Sequence, residues 1–267
     1  MGCRCCHGFR GLNGRRGASQ DSFPGLGAIP SSQEGSLLKV GLTGGIASGK
    51  SLVGEMFLAL GAHLIQSDKV AHELIRPGEA VYDKVVAEFG PGILNPDKTV
   101  NRARLAEEAF GGAGPSRIEQ LNRLVHPAVI ERENAWMEGL RHRDPHGIAM
   151  VEAALILEAR AAGRFDRLVV VTCRPEQRIS RWATRLEVDI ETARREVARR
   201  MAAQLPDEEK VRAADYVIDN SGSLDETRKQ VAEIHEKLRL EAGKMARNTK
   251  DRTESPRKKS GRQTGMH

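Results

Sequence analysis

The sequence has few cysteines, no long apolar run and no apolar leader, and each absence excludes a class of protein. Among its 267 residues, no window approaches the roughly 18 uncharged apolar residues that a membrane-spanning helix needs. Three of the four cysteines crowd at Cys3, Cys5 and Cys6, so they cannot form the dispersed framework of a disulfide-stapled secreted domain. The N-terminal arginines are not followed by the apolar stretch of a secretory signal. We therefore expect a cytoplasmic protein with no membrane partner.

The positive charge of the chain lies at its two ends. The formal net charge is +6, of which residues 1–36 contribute +2 and residues 241–267 contribute +5, so residues 37–240 carry −1. A folded nucleic-acid-binding domain would carry its basic residues on the folded surface. We therefore expect no nucleic-acid partner. A regulatory nucleic-acid binder that uses the tails as arms is the less favoured interpretation.

Composition divides the chain into three parts. Residues 1–36 are rich in Gly, Ser and Arg without a helical or strand period, and residues 241–267 have almost no large apolar side chains. Both compositions are typical of disordered segments. The sequence predicts one folded domain at 37–240 between a basic N-terminal extension and a basic C-terminal tail.

Strand-like and helix-like runs alternate within the folded domain. Short apolar runs predict five strands, at about 37–42, 63–65, 148–151, 168–172 and 215–219. Strands separated by helices predict an α/β fold whose five-stranded parallel sheet has helices on both faces. The nearly continuous helical pattern at about 69–145 predicts an inserted helical subdomain. A long last helix is expected at about 224–240.

A phosphate-binding loop follows the first predicted strand. Residues 44–51 read Gly-Gly-Ile-Ala-Ser-Gly-Lys-Ser and match G-x-x-x-x-G-K-S/T at every fixed position. A glycine-rich loop lets backbone N–H groups converge on a polyphosphate, and the positive end of the following helix favours the anion. Lys50 can reach the β and γ phosphates, and the Ser51 hydroxyl can ligate Mg²⁺. The alternative is a glycine-rich turn before a surface lysine, but the flanking strand and helix favour a nucleotide site that uses Mg²⁺.

Three features favour a small kinase over other nucleotide-binding proteins. The first is that the signatures of other classes are missing or weak. The Asn-Lys-x-Asp tetrapeptide of guanine-specific GTPases is absent, and Glu152 gives only an approximate match to the second magnesium signature of motor ATPases. The second feature is Asp68, which ends the second predicted strand and is therefore expected at the carboxyl edge of the sheet beside the phosphate loop. There it can accept a hydroxyl proton or help to hold Mg²⁺, although capping of the next helix would also explain an Asp.

The third feature is a dense run of arginines at about 174–204, on two short predicted helices. Arg178, Arg181 and Arg185 recur at spacings of three and four, so they share one helix face. Such a segment suits a lid that closes over a triphosphate and excludes water. Most of these arginines are expected to be solvated partners of nearby glutamates.

Several short motifs then occur in a characteristic order. They are Leu42-Thr43-Gly44-Gly45-Ile46, Ser48-Gly49-Lys50-Ser51, Leu60-Gly61-Ala62, Asp68-Lys69-Val70-Ala71-His72, Arg76-Pro77-Gly78, Leu124-Val125-His126-Pro127, Arg200-Met201-Ala202-Ala203-Gln204 and Ala214-Asp215-Tyr216-Val217-Ile218-Asp219-Asn220-Ser221-Gly222. With these motifs the chain resembles the dephospho-CoA kinase family from about Leu38 to Leu238. The resemblance implies a P-loop NTPase core with a helical CoA-binding insertion and a helical lid. It also implies ATP-dependent phosphorylation of the ribose 3′-hydroxyl of dephospho-CoA, the final step of coenzyme A synthesis, with ATP and dephospho-CoA as partners. Another small-metabolite or nucleoside kinase on the same core is the alternative.

The resemblance also implies roles for individual residues. The implied catalytic residues are Asp68, Lys50 and Arg181. The implied ATP-binding residues are Gly45, Ala47, Ser48, Gly49, Lys50, Ser51, Leu52, Arg185 and Asn220, the last near the adenine. The implied acceptor-binding residues are Asp68, His72 and His126, and the implied metal ligand is Ser51.

The chain departs from the family pattern at three positions near the phosphate loop. Ala47 replaces a usual Gly, Leu52 replaces a usual Thr, and Gln66 replaces the first Asp of the motif that contains Asp68. We expect Ala47 to be tolerated only if its φ angle is negative. Leu52 loses a hydroxyl that could touch the α-phosphate, although its backbone N–H remains. Both changes are expected to weaken ATP binding, and Asp68 is left as the only carboxylate of its motif.

Overall fold

A computed structural model of the chain describes residues 37–110 and 116–254, with side chains as far as residue 245. The predicted N-terminal extension, residues 1–36, lies outside the described residues. So does the end of the predicted C-terminal tail, residues 255–267.

The described residues contain one five-stranded sheet in which all strands are parallel. The strands are β1 (Leu38–Gly44), β2 (His63–Gln66), β3 (Ile148–Glu152), β4 (Arg167–Thr172) and β5 (Tyr216–Asp219). Their order across the sheet is β2-β3-β1-β4-β5. Because all five run in one direction, their carboxyl ends meet at one edge, where ligands bind in open α/β sheets. The predicted sheet is confirmed.

Nine α-helices connect and cover the strands within residues 37–110 and 116–254. They are α1 (Lys50–Ala59), α2 (Ser67–Leu74), α3 (Tyr82–Phe89), α4 (Arg102–Phe110), α5 (Ile118–Arg143), α6 (Pro175–Leu186), α7 (Ile190–Ala202), α8 (Asp207–Ala213) and α9 (Leu224–Glu254). Short 3₁₀ turns lie at Pro91–Ile93 and Ala162–Arg164. None of the helices described is both long enough and apolar enough to span a bilayer.

The sheet is covered by helices on both faces because its strands alternate two apolar surfaces. Val40, Leu42 and Met150 point to one face, where Phe57 of α1 and Leu238 of α9 pack against them. Ala149 and Val151 point to the other face, where they meet Met137 and Leu140 of α5. A period of two residues is what a strand imposes on its side chains. The two buried layers hold the carboxyl edge of the sheet in place.

The helices between β2 and β3 surround an apolar cluster of their own. Its buried members are Val70, Leu74, Ile75, Val81, Val85, Phe89, Ile93, Leu105, Ala109, Val125 and Val129. A separate cluster of this size agrees with the predicted helical insertion. Pro127 lies inside α5, the longest helix of this region.

The C-terminal boundary predicted at residue 241 is wrong. Helix α9 continues without a break to Glu254, and Ala242 is buried in the cluster between α9 and the sheet. Val231, Ile234, Leu238 and Ala242 recur at three and four residues, so they form one apolar helix face. Because this face packs against the sheet, the helix continues beyond residue 241, where composition alone predicts a disordered tail.

Candidate active site

The phosphate loop connects the carboxyl end of β1 to the first turn of α1. Gly49 has φ 95°, a left-handed conformation that glycine adopts without strain. A Cβ at Gly49 would overlap Asn220 Nδ2, and one at Gly45 would overlap Arg178 Nη1. Both glycines are therefore required by close packing beneath the loop, and Gly49 also by its backbone conformation.

Ala47 contradicts the expectation of a negative φ. Its φ is 51°, in the left-handed region, where a Cβ costs roughly 1–2 kcal/mol. Its carbonyl oxygen accepts a weak hydrogen bond from the buried Cys173 thiol, whose sulfur lies 3.7 Å away. Burial raises the pKa of Cys173, so the thiol keeps the proton it donates. The loop therefore keeps the left-handed backbone conformation typical of glycine, although alanine occupies the position.

Arg181 and Asn220 support the loop from below. Arg181 donates from Nη1 to the Ser48 carbonyl at 3.2 Å and from Nη2 to the Asn220 carbonyl at 2.8 Å. Asn220 is buried and donates from Nδ2 to the same Ser48 carbonyl at 2.8 Å. Its Oδ1 accepts a hydrogen bond from the Thr227 hydroxyl at 3.0 Å. The Asn220 amide thus supports the loop through one donated and one accepted hydrogen bond.

Charged side chains converge at the end of the loop. The Ser51 hydroxyl donates to Glu152 Oε1 at 2.6 Å, and Glu152 is nearly buried at the end of β3. Burial lowers the pKa of Lys50, and the negative charges of Glu152 and Asp68 act in the opposite direction. Lys50 follows β1 and Asp68 follows β2, so both lie at the carboxyl edge of the parallel sheet. Sequence reasoning gave Glu152 no role in the kinase site, although its position after an apolar strand is a usable signal.

Gln66 shows why a departure from the family motif is tolerated. It donates from Nε2 to Glu152 Oε2 at 2.6 Å. A carboxylate at this position would face the Glu152 carboxylate, and like charges at close range repel. The neutral amide instead fixes Glu152 through a hydrogen bond.

A cavity of about 180 Å³ opens beside Asp68. Its apolar lining includes Val129, Val151, Ile156 and Phe165, and its polar lining comprises Ser67, Asp68, His126, Glu133 and Arg164. These residues come from α2, α5, the carboxyl end of β3 and the segment before β4. The structure thus brings His126 and Asp68 to the same cavity.

His72 lies apart from this cavity. It is exposed on α2, and its Nδ1 is 3.1 Å from Arg102 Nη1 on α4. Partial burial, together with the nearby Arg102 charge, lowers the pKa of His72, so the ring is neutral at physiological pH. The structure does not bring His72 together with Ser67 and His126 around the cavity.

The predicted lid is the helix pair α6 and α7. Its apolar interior is formed by Trp182, Ala183, Ala193 and Val197, and Ile46 of the phosphate loop packs against it. The Cζ atoms of Arg185 and Arg200 each lie 4.7 Å from the centre of the Trp182 ring. Such cation–π contacts fix the direction of long side chains. The lid thus rests on the loop and holds two guanidinium groups over one indole.

Two residues of the lid region make contacts that the sequence does not predict. Gln204 follows α7 and accepts a hydrogen bond from the Ile46 N–H through Oε1 at 3.2 Å. The sequence predicts only that Arg178 shares a helix face with Arg181 and Arg185, but in the structure Arg178 is buried, ion-paired with Asp207 and bonded to the Cys173 carbonyl. Only the Gln204 position carried a signal, as part of a family motif.

Comparisons with known proteins agree with this geometry. The family model described as "CoaE: Dephospho-CoA kinase" matches residues 38–226. The dephospho-CoA kinase of Aquifex aeolicus is 37% identical over 205 residues, which cover 75% of this chain and 97% of that protein. The dephospho-CoA kinase of Geobacter metallireducens is 38% identical over 198 residues, 74% of this chain and 95% of that protein.

Solved structures share the fold. The crystal structure of TT1252 from Thermus thermophilus has a TM-score of 0.60 at 28% identity, covering 74% of this chain and 96% of that one. The dephospho-CoA kinase from Campylobacter jejuni has a TM-score of 0.50 at 22% identity, covering 75% and 96%, a similarity of fold. The phosphate loop, the parallel sheet and these matches together show that the chain belongs to the dephospho-CoA kinase family, the phosphotransferases of the final step of coenzyme A biosynthesis.

Proposed function

We propose that this protein transfers the γ-phosphoryl group of ATP to the ribose 3′-hydroxyl of dephospho-CoA, giving coenzyme A and ADP. The observation that carries the proposal is that Lys50 opens α1 after β1 and Asp68 lies in the first turn of α2 after β2, so both lie at the carboxyl edge of the parallel sheet. Lys50 belongs to the phosphate loop, and Asp68 lines the cavity. Donor and acceptor can therefore meet between a cation and a carboxylate.

The donor side binds ATP mainly through the backbone. The N–H groups from Gly49 to Leu52, at the first turn of α1, supply the amides and the positive helix end that a polyphosphate needs, whereas the Ile46 N–H is bonded to Gln204. Lys50 adds a point charge at the β and γ phosphates. Its lowered pKa reflects a partly desolvated ammonium group, which attracts an anion more strongly than a hydrated one.

Arg185 is the lid residue best placed to reach the phosphates. Its charge lies close enough to Lys50 to lower the pKa of that lysine. Within the part of the chain whose side chains are described, Arg185 makes no ion pair, and its recorded contact is the Trp182 ring. A guanidinium without a carboxylate partner is free to bind phosphate oxygens in a bidentate manner. Arg181 contributes differently, by holding the Ser48 and Asn220 carbonyls that shape the loop.

Ser51 and Glu152 fit a magnesium ion. Their hydroxyl and carboxylate oxygens are hard ligands of the kind Mg²⁺ prefers, and Mg²⁺ takes one or two protein ligands alongside phosphate oxygens and water. When bound, the ion neutralises charge on the β and γ phosphates. Gln66 keeps the Glu152 carboxylate oriented towards Ser51.

Asp68 is the proposed general base. Its position in the first turn of α2 places a carboxylate at the mouth of the acceptor cavity. There it accepts the proton of the 3′-hydroxyl as the oxygen attacks the γ-phosphorus in line with the leaving ADP. His126 lines the same cavity and contacts the acceptor, whereas His72, which lies apart from the cavity, is given no direct contact with it.

Acceptor specificity tests the proposal directly. ADP release should be measured with dephospho-CoA, adenosine, AMP and shikimate at matched concentrations. We expect dephospho-CoA to be preferred, because the helical insertion adds contacts that a free nucleoside lacks. A preference for adenosine, AMP or shikimate would replace this function with that of another small-molecule kinase.

A further inference from the structure

Glu133 is a buried charge that the proposed reaction does not use. It lies in the middle of α5 and is only 2% exposed. A buried carboxylate is costly unless charged or hydrogen-bonding partners satisfy it. Glu133 has two such partners: the Ser67 hydroxyl donates to Oε1 at 2.6 Å, and Arg164 Nη2 lies 2.9 Å from Oε2. We call Ser67, Glu133 and Arg164 the polar bridge.

The polar bridge joins three separate segments. Ser67 opens α2, Glu133 belongs to α5 of the helical insertion, and Arg164 ends the 3₁₀ turn before β4. Arg164 is itself held, since Nη2 also donates to Asn134 Oδ1 at 3.1 Å and the guanidinium lies 5.5 Å from the Phe165 ring centre. The carboxylate is therefore anchored by an arginine that is itself held by two further contacts.

Ser67 is the residue immediately before Asp68. The preceding residue, Gln66, makes no side-chain capping bond to α2 and is engaged with Glu152 instead. The hydrogen bond from Ser67 to Glu133 is thus the polar contact that ties the first turn of α2 to α5, beside the apolar packing of Val70. A displacement of that turn would carry Asp68 with it, and small misplacements of a reacting group cost large factors in rate.

We propose that Glu133, held by Arg164, is a positioning residue that fixes Asp68 through the Ser67 hydroxyl. This inference rests on the proposed role of Asp68 as the base. The competing explanation is direct acceptor recognition, because all three bridge residues also line the cavity. Positioning is favoured because each oxygen of Glu133 already has a protein partner.

A double-mutant cycle tests the inference. Ser67→Ala is measured alone, in combination with Asp68→Asn, and against Asp68→Asn alone. We expect Ser67→Ala to lower kcat by roughly tenfold while KM for ATP and dephospho-CoA changes by less than about twofold. In the Asp68→Asn background the same change should lower the residual rate by less than about twofold, because no base remains to be positioned. Glu133→Gln should give the same pattern as Ser67→Ala.

Two controls separate positioning from folding. Ser67→Thr keeps the hydroxyl and should restore most of kcat. Ser223→Ala removes a hydroxyl that accepts a hydrogen bond from the Glu226 N–H at the start of α9. Ser223 lies far along the chain from the cavity, so this change should leave kcat unchanged.

The failing outcomes are distinct. A rise in KM for dephospho-CoA with kcat unchanged would make the bridge an acceptor-binding group and overturn the inference. An equal loss with and without the Asp68 carboxylate would also overturn it. Near-normal turnover of Asp68→Asn alone would instead remove the proposed base, whatever Ser67→Ala does.

Discussion

The two sides of the active site are built in different ways. The donor side is a contiguous loop, residues 44–51, that acts mainly through backbone groups. The acceptor side is a cavity lined by side chains from α2, α5 and the segments around β3 and β4. Backbone amides persist when a side chain changes, whereas a side-chain carboxylate is lost with a single substitution. The donor side should therefore be sensitive to changes in shape, and the acceptor side to changes in chemistry.

The largest effect is expected on the acceptor side, from Asp68→Asn. The amide is isosteric but cannot accept the hydroxyl proton, so kcat should fall by roughly 10²–10⁴. ATP affinity should stay within about threefold, because the loop amides are untouched. Initial rates and equilibrium nucleotide binding measure the two quantities.

Asp83→Asn is a matched control for this change. Asp83 also lies in the first turn of a helix, α3, but it is exposed and away from the cavity. Each substitution removes a similar favourable interaction with a helix N-terminus. Equal losses of activity in the two variants would reduce Asp68 to a helix-stabilising residue.

A smaller effect is expected when the donor loop is reshaped by Gly45→Ala. The added Cβ would overlap the Arg178 guanidinium, which cannot withdraw easily because it is buried and paired with Asp207. Overpacking of this kind costs roughly 1–3 kcal/mol in the free energy of unfolding. The displaced loop should raise KM for ATP by roughly tenfold with a smaller change in kcat.

Gly92→Ala is the control for Gly45→Ala. A Cβ at Gly92 has open space around it and no positive φ to strain it. Stability and KM for ATP should both remain near those of the parent protein. Normal ATP binding by Gly45→Ala would mean that Arg178 yields and that the loop does not depend on this contact.

Features that depend on local geometry could be predicted from the sequence, whereas contacts between distant side chains could not. The five strands follow from apolar runs, and the phosphate loop follows from eight consecutive residues, because both depend on local geometry. The polar bridge joins Ser67 to Glu133 across 66 positions. Glu133 looks like any charged residue on a helix, and nothing local shows that it is buried. Non-local side-chain contacts of this kind require the fold.

Two predictions from the sequence were wrong: the end of α9 and the sign of φ at Ala47. The end of α9 was placed too early because polar composition outweighed the apolar spacing of Ile234, Leu238 and Ala242, which continues the buried face. The sign of φ at Ala47 was wrong because the residue type favours a negative angle while the loop imposes a positive one. In both cases the packed surroundings override a local preference.

The smallest effect is expected from Ala47→Gly, which sharpens the view that the donor side depends on shape. Removing the Cβ relieves a left-handed alanine, so the free energy of unfolding should rise by up to about 1 kcal/mol. KM for ATP should fall by a few-fold at most, since roughly 1.4 kcal/mol corresponds to a factor of ten. Ala198→Gly, on the exposed face of α7, should instead lower the free energy of unfolding, because glycine inside a helix costs roughly 0.5–1 kcal/mol. If both substitutions destabilised the protein equally, the loop would carry no strain at Ala47. If they differ in sign, the loop holds its turn against the preference of its own residue, as a site built from backbone shape requires.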